Sequence, residues 1–264
     1  MNLNGIWRKI SIGTFLLTLF LMVSTQLTVA SHAQSIGEKG IVFGSDVVLK
    51  GLPSPSFADL RQAGFTLVGT NTKSWYGSWE WDRVRAWLKS ADDAGFRTFV
   101  NFWAEPNEAA RTVKRLISMG VDVIVWDEPI SRYNVGESQM QSVINTAIMT
   151  PRHKSELLFI INEWDKDNVA KAYEWTAEYK SVVIATDDYG DKTVIDLGIK
   201  LAQQYGKTPF AWLIFSIDER EFPCYKALDE WIAYAKQRNL GGVLFWVVDS
   251  TGTWQTQWQK VAAF

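Results

Sequence analysis

Past residue 40 the chain alternates short apolar runs with longer amphipathic stretches. The apolar runs begin near Ile41 (IVFGSD), Phe65 (FTLVGT), Arg97 (RTFVNFW), Val121 (VDVIVWDE), Leu157 (LLFIINEW), Val182 (VVIATDD), Phe210 (FAWLIFS) and Gly241 (GGVLFWVVD). They lack clean alternation, which predicts strands buried on both faces, as in a parallel sheet covered by helices. Between them, SFADLRQAG, WDRVRAWLKSADDAG, NEAARTVKRLISMG, ESQMQSVINTAIM, NVAKAYEWTAEY, TVIDLGIKLAQQYG and YKALDEWIAYAKQRN carry apolar residues at helical spacing, with a shorter stretch near TWQTQWQKVAAF. Several end in glycine, the residue that closes helices in the left-handed conformation.

Such a series of strand and helix units predicts an α/β fold built as a single (β/α)8 TIM barrel, for which about 250 residues is usual. An open doubly wound sheet is the competing arrangement, but no GxGxxG or Walker loop follows the first strand. No proline- or serine-rich linker interrupts residues 41–264, so one domain is expected.

The first 33 residues follow a different pattern. Arg8 and Lys9 precede an apolar run from Ile10 to Val23, and Ala30-Ser31-His32-Ala33 supplies small residues for a cut. This predicts a signal peptide over 1–33 and a barrel over 34–264, secreted or periplasmic and free of the membrane after cleavage; an uncleaved anchor is the alternative.

Composition narrows the class further. Of 264 residues, 47% are apolar, 21% charged and 14 are tryptophan, which excludes a disordered tail, a coiled coil and a disulfide-stapled mini-domain. Lys+Arg 27 against Asp+Glu 29, without long like-charge runs, argues against a nucleic-acid partner. Removing Arg8 and Lys9 takes the formal charge from −2 to −4. Cys224 is the single cysteine, so no internal disulfide forms, and a monomer is expected.

In a barrel of this type the active site forms at the C-terminal ends of the strands. The residues there are Ser45 and Asp46; Thr70 and Asn71; Asn101, Trp103 and Glu105; Asp127 and Glu128; Asn162, Glu163 and Trp164; Asp187, Asp188 and Tyr189; Ser216, Asp218 and Glu219; Trp246 and Asp249. Strand-to-loop transitions are polar in most proteins, and Asp165 and Asp191 read as helix caps or turn residues. Asp127-Glu128-Pro129 differs, because two adjacent acids close a wholly apolar strand and the proline starts a loop. If Val121, Val123 and Val125 point into the barrel, Asp127 follows them, while Trp126 and Glu128 face the helices unless Glu128 turns inward as it leaves the strand.

The predicted mature chain has one histidine, His153, just before strand 5 and therefore at the far end of the barrel. A Ser-His-Asp triad and a His-ligated zinc site lose their essential residue. Lys73, Lys192 and Lys207 fall in loops or at a strand start, away from where a Schiff-base lysine belongs. Gly241-Gly242 opens strand 8 instead of following it as a phosphate-binding turn would.

Carboxylate chemistry remains, and it needs no cofactor. Two carboxyls about 5–5.5 Å apart, or about 6.5–9.5 Å apart, hydrolyse glycosides with retention or inversion. Indoles at the mouth suit the flat C–H faces of sugars. Trp75, Trp79, Trp81, Trp103, Trp164, Trp246 and Trp254 lie on or near the proposed mouth, whereas Trp87, Trp175, Trp212 and Trp231 read as packing residues.

GGVLFWVVD (241–249) resembles the last strand of chitinase-like glycoside hydrolases, which carries a tryptophan under the sugar. ATDDYGD (185–191) resembles their sixth-strand segment, and DVIVWDEP is similar in place to their strand of alternating acids, although Val123 and Val125, or Ile124 and Trp126, stand where those acids would be. The chain also resembles the large barrel clan whose acid/base lies in an Asn-Glu-Pro context after strand 4. Here Asp127 replaces that asparagine, the second glutamate would be Glu219 or Glu221, and Asn162-Glu163 has the dipeptide one strand later.

These resemblances imply a barrel glycoside hydrolase acting on an oligo- or polysaccharide. The candidate catalytic residues are Asp127 and Glu128, with Glu163, Asp187 or Asp188 as the second carboxylate. Candidate sugar contacts are Asp46, Asn71, Trp75, Asn101, Trp103, Asn162, Trp164, Tyr189, Trp246 and Asp249. The alternatives are a non-catalytic sugar-binding barrel and a hydrolase holding Mg²⁺ or Ca²⁺ on Asp46, Asp127, Asp187 and Asp188.

Overall fold

A computed structural model describes residues 38–44, 54–72, 80–151, 157–187, 191–216, 228–238, 240–248, 260, 262 and 263. Eight strands, β1 (Glu38–Phe43), β2 (Leu67–Asn71), β3 (Arg97–Phe102), β4 (Val123–Asp127), β5 (Leu158–Glu163), β6 (Val182–Asp187), β7 (Phe210–Ser216) and β8 (Gly242–Val248), pair in sequence order. All pairs are parallel, and β8 returns to β1 with Glu38 opposite Gly242, closing the barrel. The helices between them are α1 (Phe57–Gln62), α2 (Trp81–Asp93), α3 (Pro106–Ser118), α4 (Pro129–Tyr133), α5 (Glu137–Met149), α6 (Lys166–Trp175), α7 (Lys192–Tyr205) and α8 (Leu228–Gln237). The predicted leader 1–33, His153 and Cys224 lie outside the described residues.

Local chemistry starts and stops these helices as the sequence predicts. Ser56 accepts the Asp59 N–H at 3.1 Å while the Asp59 carboxylate accepts the Ser56 N–H at 3.0 Å, a reciprocal cap on α1. Asp165 caps α6 and Asp191 caps α7, each accepting backbone N–H groups of the first turn. Gly64, Gly95, Gly120 and Gly206, with φ between 63° and 79°, follow the ends of α1, α2, α3 and α7 in the left-handed region.

Period-two alternation sorts the strand residues into two environments. Val42, Leu67, Phe99, Val123, Val125, Ile160, Val183, Ala185, Phe210, Trp212, Leu244 and Trp246 pack together inside the barrel. Their neighbours in sequence, among them Ile124, Trp126, Ile161 and Ile184, pack outward against helices. Val123 and Val125 therefore point inward and Trp126 outward, as the alternation predicts. Trp126 lies parallel to Phe102 and donates to the Ala104 carbonyl at 3.0 Å.

The interior fills by setting large rings against glycines. A Cβ on Gly69 would sit 2.4–2.6 Å from the Phe99 ring, and one on Gly242 only 2.0 Å from the Phe210 ring. Rings of this size fit only where the facing strand carries no side chain.

Several boundaries differ from the sequence reading. β1 begins at Glu38, because backbone pairing with β8 carries the strand through polar residues; Lys39 donates to the Ala63 carbonyl at 2.7 Å, with its ammonium 4.6 Å from the centre of the Phe65 ring. β4 begins at Val123, because Asp122 accepts the Thr98 N–H at 2.8 Å and anchors the turn before the strand. Pro129 opens the one-turn helix α4 where a loop was expected. Trp81 starts α2 beneath the Arg115 guanidinium and belongs to the helix layer, not the mouth.

Gly69→Ala should cost about 1–3 kcal/mol, because the added methyl must displace a ring held on all sides. Chemical denaturation of the variant beside wild type measures it; an unchanged midpoint would show that Phe99 has room to move.

Candidate active site

The parity that buries Val123 and Val125 also points one residue at or next to the end of each of β2 to β6 inward. Asn71, Asn101, Asp127, Asn162 and Asp187 are each 3% exposed or less. They form one polar row across five neighbouring strands. Asn101 Nδ2 donates to Asn71 Oδ1 at 3.2 Å and to Asp127 Oδ2 at 2.9 Å. Asn162 Nδ2 donates to Asp127 Oδ1 at 2.6 Å and to Asp187 Oδ2 at 3.3 Å. Both oxygens of Asp127 thus accept an amide N–H, one from each adjacent strand.

Glu128 turns back toward this row because its backbone is left-handed, with φ 51° and ψ 44°. That conformation is uncommon for a residue with a Cβ, and it persists where surroundings hold it. One oxygen from each of Asp127, Glu128 and Asp187 lies within 4.8 Å of the other two. Arg132, one turn into α4, grips Glu128 through Nη2 and through Nε at 2.9 Å. Three carboxylates at this spacing could also gather round a cation. The Arg132 guanidinium and the amide N–H groups on Asp127 already place positive partners there.

Burial pushes the Asp127 carboxyl up to about 7, and the neighbouring Glu128 charge adds to the shift; the Asn162 and Asn101 hydrogen bonds and Arg132 oppose it. Glu163 is also raised to about 7, first by burial, against the bonds it accepts.

Glu163 does not join the inward cluster. Following Asn162, it points to the helix layer and accepts the Ile130 N–H at 2.5 Å and the Ser131 N–H at 3.3 Å. Its carboxylate binds the first turn of α4, so the structure separates it from the acids with which the sequence reading grouped it.

Trp103 and Trp246 are buried with the interior cluster, 4% and 5% exposed, whereas Trp164 at the end of β5 is 42% exposed. Asp46, Trp75, Asp188, Tyr189 and Asp249 lie outside the described residues. Arg132 and Tyr133 were missed by sequence reasoning. The four-residue spacing of Glu128 and Arg132 is a helix-pair signal, masked in the sequence because Pro129 is equally compatible with the start of a loop. Tyr133 packs against the interior cluster, and burial raises its hydroxyl pKa.

No family model matches the sequence, and no curated protein sequence matches it. Solved structures do. A β-mannanase of Thermomonospora fusca, in complex with mannohexaose, superposes with a TM-score of 0.59 at 13% identity over 81% of this chain and 79% of that one. A GH113 β-1,4-mannanase gives 0.56 at 13% identity over 79% and 87%. An HpcH/HpaI aldolase from Desulfitobacterium hafniense DCB-2 gives 0.50 at 13% identity over 86% and 92%. These likenesses establish the barrel fold.

A carboxyl raised in the folded state takes up its proton there first, so its contribution to stability is complete below the ordinary carboxylate range and is lost as pH rises toward 7. With Asp127 and Glu163 both raised, unfolding free energy should fall between pH 5 and 7, by up to about 1.4 kcal/mol per pH unit for each group. Denaturation across that range checks this. A flat or rising profile would mean that both carboxyls ionise normally in the fold.

Proposed function

We propose that this chain is a secreted glycoside hydrolase that cleaves a polysaccharide with carboxylates at the C-terminal mouth of its barrel. The observation that carries the reading is the convergence of Asp127 at the end of β4 and Glu128 just after it with Asp187 from β6, one oxygen of each lying within 4.8 Å of the others. That spacing favours the retaining geometry of about 5–5.5 Å over the inverting one of about 6.5–9.5 Å. The mannanases among the structural neighbours support trying β-1,4-mannan first.

Asp127, holding its proton near neutrality, gives it to the glycosidic oxygen as the C–O bond breaks, while Asp187 attacks the anomeric carbon and forms a glycosyl ester. The Asp127 carboxylate then takes a proton from water as that water displaces Asp187, restoring both groups. Glu128, held by Arg132 beside Asp127, favours the protonated form of that acid. Trp103 and Trp246 wall the site, and exposed Trp164 offers an indole face to the sugar chain.

Reducing-end release from a polysaccharide panel tests the reading. Wild type should cleave one glycan with retained anomeric configuration, with a rate that declines above pH 7. Asp127→Asn and Asp187→Asn should each lower kcat about 10²–10⁴-fold, and EDTA should change nothing. Binding without cleavage would replace the reading with a sugar-binding barrel. Loss of activity in EDTA would favour the metal-dependent hydrolase.

A further inference from the structure

Glu163 is fully buried, points away from the mouth, and spends its oxygens on α4. Besides the Ile130 and Ser131 N–H groups, it accepts the Ser131 hydroxyl, and that hydroxyl in turn accepts from Asn168 Nδ2 of α6 at 3.1 Å. The same five-residue helix carries Arg132, whose guanidinium holds Glu128. Glu128 itself stands in the left-handed conformation that aims it at Asp127 and Asp187. A residue with a Cβ stays there only when neighbours fix it from more than one side.

We propose that Glu163 is a positioning residue: it ties down the first turn of α4 so that Arg132 clamps Glu128 against the acid pair. The sequence places Glu163 among the reacting carboxylates; the geometry gives it one step of separation. Its effect on turnover rests on the glycosidase reading above, whereas its effect on the clamp does not.

Two arms test it on the full chain. The Arg132 Nε–H is followed by ¹⁵N NMR, assigned with Arg132→Lys. Its hydrogen exchange should quicken about tenfold or more in Glu163→Gln, and less in the milder Ser131→Ala, as the local opening becomes easier. Asp191→Ala, which removes a cap on α7, should lower Tm and leave that signal unchanged. Unaltered exchange in both Glu163→Gln and Ser131→Ala would overturn the proposal.

In the turnover arm, Glu163→Gln should lower kcat about 10²-fold with KM little changed, as a misplaced group does. Azide should restore nothing to Glu163→Ala. Restoration by azide would mean that Glu163 meets the substrate directly, which also overturns the proposal. If wild type cleaves no glycan, the glycosidase reading fails and the exchange arm still decides the clamp.

Discussion

Asp127, Glu128 and Asp187 bring three buried carboxylates together at one end of the closed barrel, and their confinement governs the surroundings. Two unit charges 4.8 Å apart repel by about 3 kcal/mol at an effective dielectric of about 20. The fold answers with a guanidinium on Glu128, amide N–H groups on both oxygens of Asp127, and a proton that Asp127 retains toward neutrality. The two amides and the guanidinium come from three different elements, β3, β5 and α4. The site therefore depends on the barrel being closed and in register, since a slip of one residue in β3 or β5 would carry Asn101 or Asn162 to the outer face.

Much of this was legible in the chain. The eight apolar runs located every strand, because parallel strands buried on both faces leave uninterrupted hydrophobic segments. The inward-pointing Val123 and Val125 carry Asp127 inward as the alternation predicts, whereas Val121, before the strand, packs with the helix-side cluster instead. Reading strand ends as the site picked out Asn71, Asn101, Asp127, Asn162 and Asp187, which form one hydrogen-bonded row.

What stayed hidden has a common origin in short-range backbone geometry. Strand parity alone sends Glu128 to the helices and leaves an inward turn open; a left-handed φ of 51° makes that turn and returns it to the cluster. Pro129 is compatible with a loop or with the first position of a helix, and tertiary contacts from Glu163 decide for the helix. With a loop after Pro129, neither the Glu128–Arg132 pair nor the anchoring part of Glu163 follows from the sequence. The polar start of β1 was hidden for a related reason, since ladder pairing with β8 carries it.

The account stands on Asp127 being an acid that keeps its proton in the folded chain. Titration of its ¹³C-labelled carboxyl by NMR, assigned with Asp127→Asn, tests that most directly. The account predicts a midpoint near 7, far above an ordinary aspartate. A midpoint near 4, the usual aspartate value, would show the group ionised at neutral pH and would remove the proton donor from the site.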